Sequence, residues 1–489
     1  MSEHHFLSMD YGAESGRGIL VTLADGKTTM EEIHRFPNRR VNLAGTTYWD
    51  FPFLYAEMLE AMKLCARRGV KLTSMAVDTW GVDFGLLDER GKLLGLPVSY
   101  RDGRTAGVHD YADRIVPREE VFQALGGETW AIGSLYQLLA MQRDGDPALK
   151  TAKSFLNMPN LLTYLLTGKK CNERSIISGS SLMGRDRQWP RELFRRFNLP
   201  DIFGEIVEPG TVVGPLLPEV AEQTGLGALP VVASCGHDTA AVVAAIPAEG
   251  KHWAFLSCGT WSIFGSLVDA PVTTPECFSA GFCNEYTLGG WYLCNHILGL
   301  WLVQELKRKW DTRTDPWDYV RITDEAGTDD AASYPGVLDV TDASLMAPDD
   351  MESALQAVLA KHRQPKCRTR GQLVRCVLQS LALEYDRQMQ TLNTLSGEKK
   401  QAMYMVGGGI RNKLLCQLTA DACGMPVHAG AEECTALGNA LTQAVAMGIL
   451  KSPDDVRQVM RNSTEMTTYH PRDMEMWARK RLDYQNLRK

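Results

Sequence analysis

The sequence predicts an α/β protein with two domains. Its 489 residues are too many for one ordinary hydrophobic core. Apolar strands such as Leu72–Val77 and Leu229–Ala233 alternate with segments of helical spacing, clearest in Glu57–Arg68 and in the apolar positions from Val374 to Leu392. One strand–turn–strand pattern also occurs twice, about 250 residues apart, which indicates a repeated structural unit.

The domain boundary is predicted near residue 246. The segment AIPAEGK (245–251) interrupts a helix there, so we expect an N-terminal domain of residues 1–246 and a C-terminal domain of residues 247–489. The stretch Asp311–Asp350, rich in Asp, Thr and Pro, predicts an irregular surface excursion, and Met474–Lys489 predicts a helical tail.

Composition excludes several classes of protein. The 52 Lys and Arg against 59 Asp and Glu give a net charge of −7 without a basic stripe, so nucleic acid is not an expected partner. No apolar run reaches the roughly 20 residues that cross a bilayer, and the first twenty residues lack a signal peptide's pattern. We therefore expect a cytoplasmic protein without a membrane partner. The twelve cysteines form no CxxC pair and are expected to be buried as small hydrophobes.

The repeated pattern predicts two β-hairpins with glycine at the tip. These are Phe6–Leu23, with its turn around Gly12 to Gly16, and His252–Asp269, interrupted by Cys258-Gly259-Thr260. Glycine lets consecutive backbone N–H groups converge on an anion, so the two tips could hold a nucleotide's phosphates. Each hairpin alone is better interpreted as an ordinary glycine turn, and the recurrence favours the phosphate hypothesis.

Asp10 ends the first strand immediately before the first tip. A carboxylate beside a polyphosphate requires a cation between them, so Asp10 is predicted to hold magnesium directly or through water. The alternative is a turn-forming Asp. Arg17, on the returning strand, is placed to reach a phosphate or Asp10.

His237-Asp238-Thr239 follows the apolar strand PVVAS and precedes a helical run. An Asp at a helix start is most often an N-cap. At the carboxyl end of a strand in an α/β protein, however, it lies where ligand-binding crevices form. Asp238 is therefore a candidate for the base that accepts a hydroxyl proton during phosphoryl transfer.

Gly407-Gly408-Gly409 connects the strand MYMV to a helical stretch and would let an adenine or ribose lie against the backbone. A Rossmann turn is the alternative, but the GxGxxG spacing fails because residue 412 is Asn. A dehydrogenase is therefore disfavoured.

Taken together, the motifs resemble the FGGY family of carbohydrate kinases over nearly the whole chain. Ten motifs occur in family order: DYGAESGR (10–17), DTWGVDFGLLD (78–88), YRDGRT (100–105), LTGK (166–169), PGTVVG (209–214), GHDTA (236–240), SCGTWS (257–262), GLWLVQ (299–304), VGGGIRN (406–412) and TALGN (435–439).

The resemblance implies two actin-like (ribonuclease H-like) domains around a deep cleft. The first domain would carry the catalytic base and most of the sugar site, and the second would bind ATP. Within the family, the chain resembles the members that phosphorylate L-rhamnulose at its 1-hydroxyl. The resemblance implies that Asp238 is the proton acceptor. The other implied roles fall into two sets. Predicted sugar contacts are Gly81, His237, Asp238, Thr239 and His296; predicted nucleotide contacts are Ala13, Glu14, Ser15, Gly16, Arg17, Gly259, Thr260, Gln304, Gly407 and Gly408.

One departure from the family pattern bears on the identity of the substrate. The family members that act on L-rhamnulose have Asn shortly before the GLW motif. When the sequences are aligned on Gly299, this chain has His296 at that position. Imidazole differs from an amide in size and donor geometry, so L-fuculose, L-ribulose and xylulose remain alternative substrates. An actin-like ATPase that acts on binding proteins is a remoter alternative. The expected partners are a ketose, ATP and Mg²⁺, and the protein is expected to be a monomer or homodimer.

Overall fold

The computed structural model describes residues 3–487, in which strands and helices alternate along the chain. The strands are β1 His4–Tyr11, β2 Ser15–Ala24, β3 Lys27–Pro37, β4 Arg40–Leu43, β5 Thr46–Trp49, β6 Leu72–Thr79, β7 Phe84–Leu87, β8 Ser154–Asn157, β9 Asn172–Glu173, β10 Ile206–Val207, β11 Thr211–Pro215, β12 Pro230–Ala233, β13 Trp253–Cys258, β14 Trp261–Val268, β15 Cys283–Thr287, β16 Gly290–Leu298, β17 Ala402–Val406, β18 Val427–Ala429 and β19 Thr467–Tyr469.

The helices are α1 Phe51–Arg67, α2 Val108–Asp113, α3 Arg118–Leu125, α4 Ser134–Arg143, α5 Pro147–Thr151, α6 Met158–Thr167, α7 Arg174–Gly179, α8 Arg191–Arg196, α9 Pro218–Thr224, α10 Asp238–Ala244, α11 Pro275–Ser279, α12 Trp301–Trp310, α13 Tyr319–Ala326, α14 Asp329–Ala332, α15 Met351–Lys361, α16 Arg370–Ser396, α17 Lys413–Cys423, α18 Cys434–Ala446, α19 Pro453–Ser463 and α20 Met474–Leu487. Three 3₁₀ turns are Gly103–Thr105, Ala343–Leu345 and Gly408–Arg411.

The chain forms two compact units. The first contains the described residues up to Pro247 together with Val268–Leu293 and Cys434–Ser463. The second contains Ala248–Leu267, Cys294–Glu433 and the described residues from Thr464 onwards. The mixture of strands and helices in both units confirms the predicted α/β class.

A six-stranded mixed sheet organises the first unit, in the order β11-β12-β6-β1-β2-β3. Strands β1, β6 and β12 are parallel to one another, whereas β2, β3 and β11 run antiparallel to their neighbours. The predicted first hairpin is confirmed, because β1 pairs with β2 from His4 opposite Leu23 to Tyr11 opposite Gly16. Parallel pairing brings the carboxyl ends of β1, β6 and β12 to one edge of the sheet.

One hydrophobic core cluster of the first unit forms where α1 and α6 cover this sheet. Asp50 caps α1 by accepting from the Phe53 N–H, and the helix buries Leu54, Met58 and Met62. Apolar side chains of β1 and β6 pack in the same cluster. The helical spacing predicted for Glu57–Arg68 is confirmed within α1.

The second unit is built on a sheet that includes β14, β13, β17, β18 and β19 in that order. The predicted second hairpin is confirmed, because β13 pairs antiparallel with β14 up to Cys258 opposite Ser262. Strands β13, β17 and β18 are parallel, so β13 and β17 end at the same sheet edge. The 27-residue helix α16 contains the predicted apolar positions from Val374 to Leu392, all of them buried.

The prediction of an irregular surface excursion over Asp311–Asp350 is confirmed only in part, because short helices interrupt the irregular, largely exposed segments. This stretch contains α13, α14 and a 3₁₀ turn, and it buries Trp317, Ile322 and Leu338. Its helices are short and begin at polar caps, Asp318 for α13 and Thr328 for α14. The polar composition therefore arises from helix caps between buried positions.

Three further predictions concern the cysteines, the C-terminal helix and membrane-spanning segments. Eleven of the twelve cysteines are buried and Cys423 is partly exposed, which confirms the prediction for most of them. The helical tail is confirmed as α20, and its predicted last residues, Arg488 and Lys489, lie outside the described residues. Over residues 3–487, every helix is too short or too polar to cross a membrane.

Helices α10 and α18 approach each other closely at Gly438. A Cβ atom added to Gly438 would lie 1.9 Å from the carbonyl oxygen of Ala241, a distance that no real contact tolerates. Ala241 lies in the same short helix as Asp238, so this close packing holds the helix that carries that carboxylate.

We predict that Gly438→Ala destabilises the protein by about 1–3 kcal/mol, the usual cost of overpacking, because the helices must move apart. Urea unfolding followed by circular dichroism measures the change. Gly95→Ala is the matched control, because nothing lies within 4 Å of its added Cβ. Equal unfolding midpoints for the two variants would contradict close packing of α10 against Gly438.

Candidate functional site

Three carboxylates lie near the carboxyl ends of β1, β6 and β12 in the first unit. Asp10 of β1 is the register partner of Asp78 of β6, and Asp238 begins α10 after a four-residue loop that follows β12. Backbone hydrogen bonds extend the strand pairing to this edge, from the Thr79 N–H to the Gly236 carbonyl at 2.9 Å. The structure thus places the predicted metal residue and the predicted base at one sheet edge.

Asp10 is held by Arg17 across the first hairpin. The Arg17 Nη2 donates to Asp10 Oδ2 at 2.5 Å, and the two residues are register partners. Arg17 therefore reaches Asp10, one of its two predicted targets. The pair is mostly buried, with 18% of the Arg17 side chain and 7% of the Asp10 side chain exposed, so solvent screens it only in part.

The turn at Ala13 to Gly16 is held by local hydrogen bonds. The Gly12 N–H donates to the Ser15 carbonyl at 3.0 Å, and the Asn38 N–H donates to the Glu14 carbonyl at 3.0 Å. A Cβ at Gly16 would lie 2.2 Å from a ring carbon of Phe36. Glycine is thus required at residue 16 by packing against Phe36, a reason that the sequence did not reveal.

Asp78 was not predicted to have a role, although it lies in the DTWGVDFGLLD segment. It is fully buried, and its Oδ2 accepts from Asn439 Nδ2 at 2.6 Å. Among the described residues, its Oδ1 has no hydrogen-bond partner. Burial and the charges of Asp10 and Asp238 raise the pKa of Asp78 well above its usual range. Its place at the end of a strand is the same signal that identified Asp238.

The two oxygens of Asp238 have different surroundings. Oδ1 accepts from the Thr239 N–H at 2.6 Å and from Thr239 Oγ1 at 3.3 Å. Oδ2 has no hydrogen bond within residues 3–487, and a third of the side chain is exposed. One oxygen therefore fixes the carboxylate and the other is available to a ligand hydroxyl.

His237 is buried next to the glycine at residue 81. A Cβ at Gly81 would lie 3.2 Å from His237 Nε2, and one at Gly179 would lie 2.5 Å from Nδ1. Both glycines therefore leave room for the imidazole. His237 Nδ1 lies 2.9 Å from Glu285 Oε2, and Nε2 lies 3.4 Å from Asp238 Oδ1.

Glu173 fixes the loop that carries His237. Its Oε2 accepts from the Gly236 N–H at 2.9 Å and from Ser175 Oγ at 2.6 Å. Burial raises the pKa of Glu173 to about 7, although these hydrogen bonds by themselves would lower it. A Cβ at Gly236 would lie 3.0 Å from Glu173 Oε2, so glycine is required for this approach.

Asp83 organises the segment that follows Gly81. Its Oδ2 accepts from the indole N–H of Trp49 at 2.6 Å and of Trp80 at 2.9 Å, and its Oδ1 accepts from Gln137 Nε2 at 3.0 Å. Both oxygens are thus engaged by the protein, and Asp83 is a structural residue. The neighbouring Val82 has φ 71°, a strained value for a β-branched residue.

In the second unit, the hairpin tip at Gly259 and Thr260 contacts the start of α12. The Leu300 N–H donates to the Gly259 carbonyl at 2.9 Å, and the Trp301 N–H donates to the Thr260 carbonyl at 3.1 Å. Gln304 lies in the first turn of α12 with its side chain partly exposed. These three predicted nucleotide residues therefore come together.

The three glycines after β17 differ in their surroundings. Gly407 has φ 82°, and a Cβ there would lie 3.1 Å from the Cys258 carbonyl oxygen. At Gly409 a Cβ would lie 2.3 Å from Cys258 Sγ, whereas at Gly408 nothing lies within 4 Å. Gly407 and Gly409 thus pack against β13, and Gly408 presents open backbone beside the hairpin tip.

His296 lies on β16, three residues before Gly299. The side chain of the preceding Asn295 is buried and donates to Gln388 Oε1 at 3.1 Å, so it belongs to the core. Because side chains alternate along a strand, His296 lies on the opposite face, where it is partly exposed.

The structure thus groups the predicted residues in two places. Gly81, His237, Asp238 and Thr239 lie near the strand ends that carry Asp10, and the turn from Ala13 to Arg17 continues the same hairpin. Gly259, Thr260, Gln304, Gly407 and Gly408 form the second group. Sequence reasoning missed Glu173, Asn439 and Glu285, whose contacts with the site join residues far apart in the chain.

These two α/β units have the fold of known sugar kinases. The chain superposes on the gluconate kinase from Lactobacillus acidophilus with a TM-score of 0.83, at 16% identity, over 99% of this chain and 96% of that one. At this identity the likeness shows the fold alone, that of two actin-like domains, as predicted.

Sequence similarity extends the assignment from the fold to the family. Residues 5–245 match the N-terminal domain, and residues 254–447 the C-terminal domain, of the FGGY family of carbohydrate kinases. The chain is 39% identical to a rhamnulokinase of Bacteroides thetaiotaomicron over 99% of both chains. It is 32% identical to a rhamnulokinase of Oceanobacillus iheyensis over 96% of this chain and 99% of that one. The chain belongs to the FGGY family of carbohydrate kinases, as its motifs predicted.

We predict that Gly408→Ala raises the KM for ATP about tenfold, if this backbone contacts the nucleotide. A methyl group forced into a packed contact costs about 1–3 kcal/mol, and 1.4 kcal/mol corresponds to a factor of ten. The unfolding midpoint should not change, because the added Cβ has open space. Steady-state kinetics and urea unfolding measure the two quantities.

Gly409→Ala is the matched comparison. Its Cβ would lie 2.3 Å from Cys258 Sγ, so this variant should lose stability. An unchanged KM for ATP in a stable Gly408→Ala protein would contradict the predicted contact of Gly408 with the nucleotide.

Proposed function

We propose that the protein transfers the γ-phosphoryl group of ATP to the 1-hydroxyl of L-rhamnulose. The family supports a carbohydrate as acceptor, and the two rhamnulokinases similar over nearly their full length support this ketose. The observation that carries the proposal is the carboxylate of Asp238, with Oδ1 held by Thr239 and Oδ2 without a partner among the described residues.

In the proposed reaction, Asp238 Oδ2 accepts the proton of the sugar hydroxyl. The hydroxyl oxygen forms a bond to the γ-phosphorus while the bond from that phosphorus to the bridging oxygen of ADP breaks, so the products are the sugar phosphate, ADP and one proton on Asp238. Because phosphoryl transfer leaves the protein mainly positioning and charge stabilisation, the fixed orientation of Asp238 is its main contribution. His237, Thr239 and Gly81 are proposed sugar contacts beside it.

Mg²⁺ is the proposed companion of ATP, and the residues around Asp10 fit a magnesium ion. Carboxylate oxygens are its preferred protein ligands, and Asp10 ends its strand at the predicted phosphate turn. Asp10 would hold the ion directly or through water, and the unpaired Asp78 Oδ1 could accept from an ion-bound water. When bound, the ion would neutralise charge on the phosphate oxygens. Arg17 would supply further positive charge.

The nucleotide contacts and the division of work between domains are also proposals. Residues Ala13 to Arg17 would line the phosphates, and Gly259, Thr260, Gln304, Gly407 and Gly408 would contact the rest of ATP. The open backbone at Gly408 supports this assignment. The division at residue 246 into a sugar-binding and a nucleotide-binding domain remains a prediction, as do a deep cleft, a monomer or homodimer, and a location in the cytoplasm, where ATP is available.

His296 favours a second candidate, in which the acceptor is another ketose. Its partly exposed imidazole occupies the position at which Asn was expected, while Asn295 is committed to the core. A site that pairs with a substrate hydroxyl discriminates strongly against sugars that cannot supply it. L-fuculose, L-ribulose and D-xylulose are therefore the alternatives to test.

We predict that L-rhamnulose gives the highest kcat/KM among these four ketoses. ADP release in the presence of ATP and Mg²⁺ measures the rates, and His296→Asn shows whether residue 296 contributes to the ranking. A wild-type preference for another ketose would overturn the L-rhamnulose assignment, and no turnover with any of the four would contradict the proposal as a whole.

We predict that Asp238→Asn lowers kcat about 10²–10⁴-fold, the usual loss on removing a general base. Asparagine keeps the size of the side chain and a carbonyl oxygen for the Thr239 donors, so the binding of sugar and ATP should persist. Calorimetric titration with each ligand provides this control. Near-normal turnover in the variant would exclude Asp238 as the base.

A further inference from the structure

Glu285 lies outside every motif of the sequence, yet it contacts the histidine next to the proposed base. It belongs to β15 of the first unit, and its side chain is 3% exposed. Glu285 Oε2 lies 2.9 Å from His237 Nδ1 and accepts from the Tyr292 hydroxyl at 2.5 Å. Tyr292 and the imidazole of His237 thus engage the same carboxylate oxygen of Glu285.

The imidazole extends this connection to Asp238. His237 Nε2 lies 3.4 Å from Asp238 Oδ1, the oxygen that Thr239 also holds. A neutral histidine has only one N–H, so it can donate either to Glu285 or towards Asp238. A protonated histidine donates from both nitrogens at once, and the carboxylate of Glu285 is the group that stabilises this cation.

We propose that Glu285 is a positioning residue for phosphoryl transfer, which keeps His237 doubly protonated so that its Nε2–H points towards Asp238 and the sugar. The inference rests on the proposed role of Asp238 as the base. Glu285 acts through His237, and it touches neither substrate nor nucleotide in this assignment.

The charged groups around His237 agree with this role. Burial alone would lower the pKa of His237, but Glu285, with smaller contributions from Asp238 and Glu173, raises it to about 9. These three carboxylates face the ring from β15, from α10 and from the end of β9, and the segments at Gly81 and Gly179 bring only backbone close to it. Glu173, whose pKa burial raises to about 7, changes charge at lower pH than His237 does.

Glu285→Gln tests the proposal. Glutamine keeps the size and an acceptor oxygen but removes the charge, so the pKa of His237 should fall by about 1–3 units, the usual effect of one adjacent opposite charge. The imidazolium of His237 would then lose its proton at lower pH. In a plot of kcat/KM for the ketose against pH, the alkaline limb should therefore move to lower pH by the same number of pH units. At pH 8 kcat should fall, while the KM for ATP should stay within about twofold.

Tyr292→Phe is the control, because it removes the hydroxyl and leaves the charge of Glu285 in place. Its alkaline limb should coincide with that of the wild type. A shift in Tyr292→Phe equal to that in Glu285→Gln would overturn the proposal, because packing rather than charge would then be responsible. Coincident pH profiles of Glu285→Gln and the wild type would overturn it as well.

A direct titration of His237 separates this proposal from the proposed function. In protein labelled with ¹³C at histidine, with the His237 signal assigned through His237→Gln, the wild-type imidazole should hold its proton to about pH 9. This measurement needs no substrate and no folded Glu285 variant. Loss of the proton at or below the ordinary value of about 6.5 would overturn the role of Glu285, even if the enzyme phosphorylates a ketose.

Discussion

The need to balance three carboxylate charges near the ends of β1, β6 and β12 constrains strand register and side-chain positions in the first unit. Asp10 and Asp78 are in register on adjacent parallel strands, and Asp238 is close enough for its charge to act on Asp78. Buried carboxylates are costly unless they are paired or hydrogen-bonded. Arg17 pairs with Asp10, and the amide of Asn439 donates to Asp78. Because a slip of one residue would turn these side chains to the other face of the sheet, strand register and site geometry are fixed together.

The glycines around the site have two different physical functions. Gly16, Gly407 and Gly409 are required by neighbouring protein atoms, since an added Cβ would crowd Phe36 or Cys258. Only Gly408 among the three consecutive glycines leaves its backbone open. A glycine-rich turn at the end of a strand thus reports close packing as well as close approach of a ligand, and the sequence alone does not separate the two.

Local periodicity made much of the fold predictable. Both hairpins, α1, α16 and the strand ends at Asp10 and Asp238 follow from apolar spacing and turn residues that lie close together in the chain. The short helices within Asp311–Asp350 were missed because Asp318 and Thr328, which cap them, belong to residue types that are also common in irregular loops. Glu285 could not be found at all, since its contact with His237 joins residues 48 positions apart and no local pattern marks it.

The segment from Gly81 to Asp83 has a strained backbone that side chains of α4 hold in place, and this bears on the sugar selectivity of the proposed site. Val82 adopts a left-handed conformation that is unfavourable for a β-branched residue, and its carbonyl accepts from Ser134 Oγ at 2.5 Å and from Gln137 Nε2 at 3.1 Å. Gln137 also donates to Asp83, so one amide holds both residues. Strain of this kind persists only where the surroundings over-determine the backbone. Since Gly81 lies next to His237 Nε2, this held backbone would keep the proposed sugar contacts Gly81 and His237 at fixed positions, and the proposed ketose would have to match them.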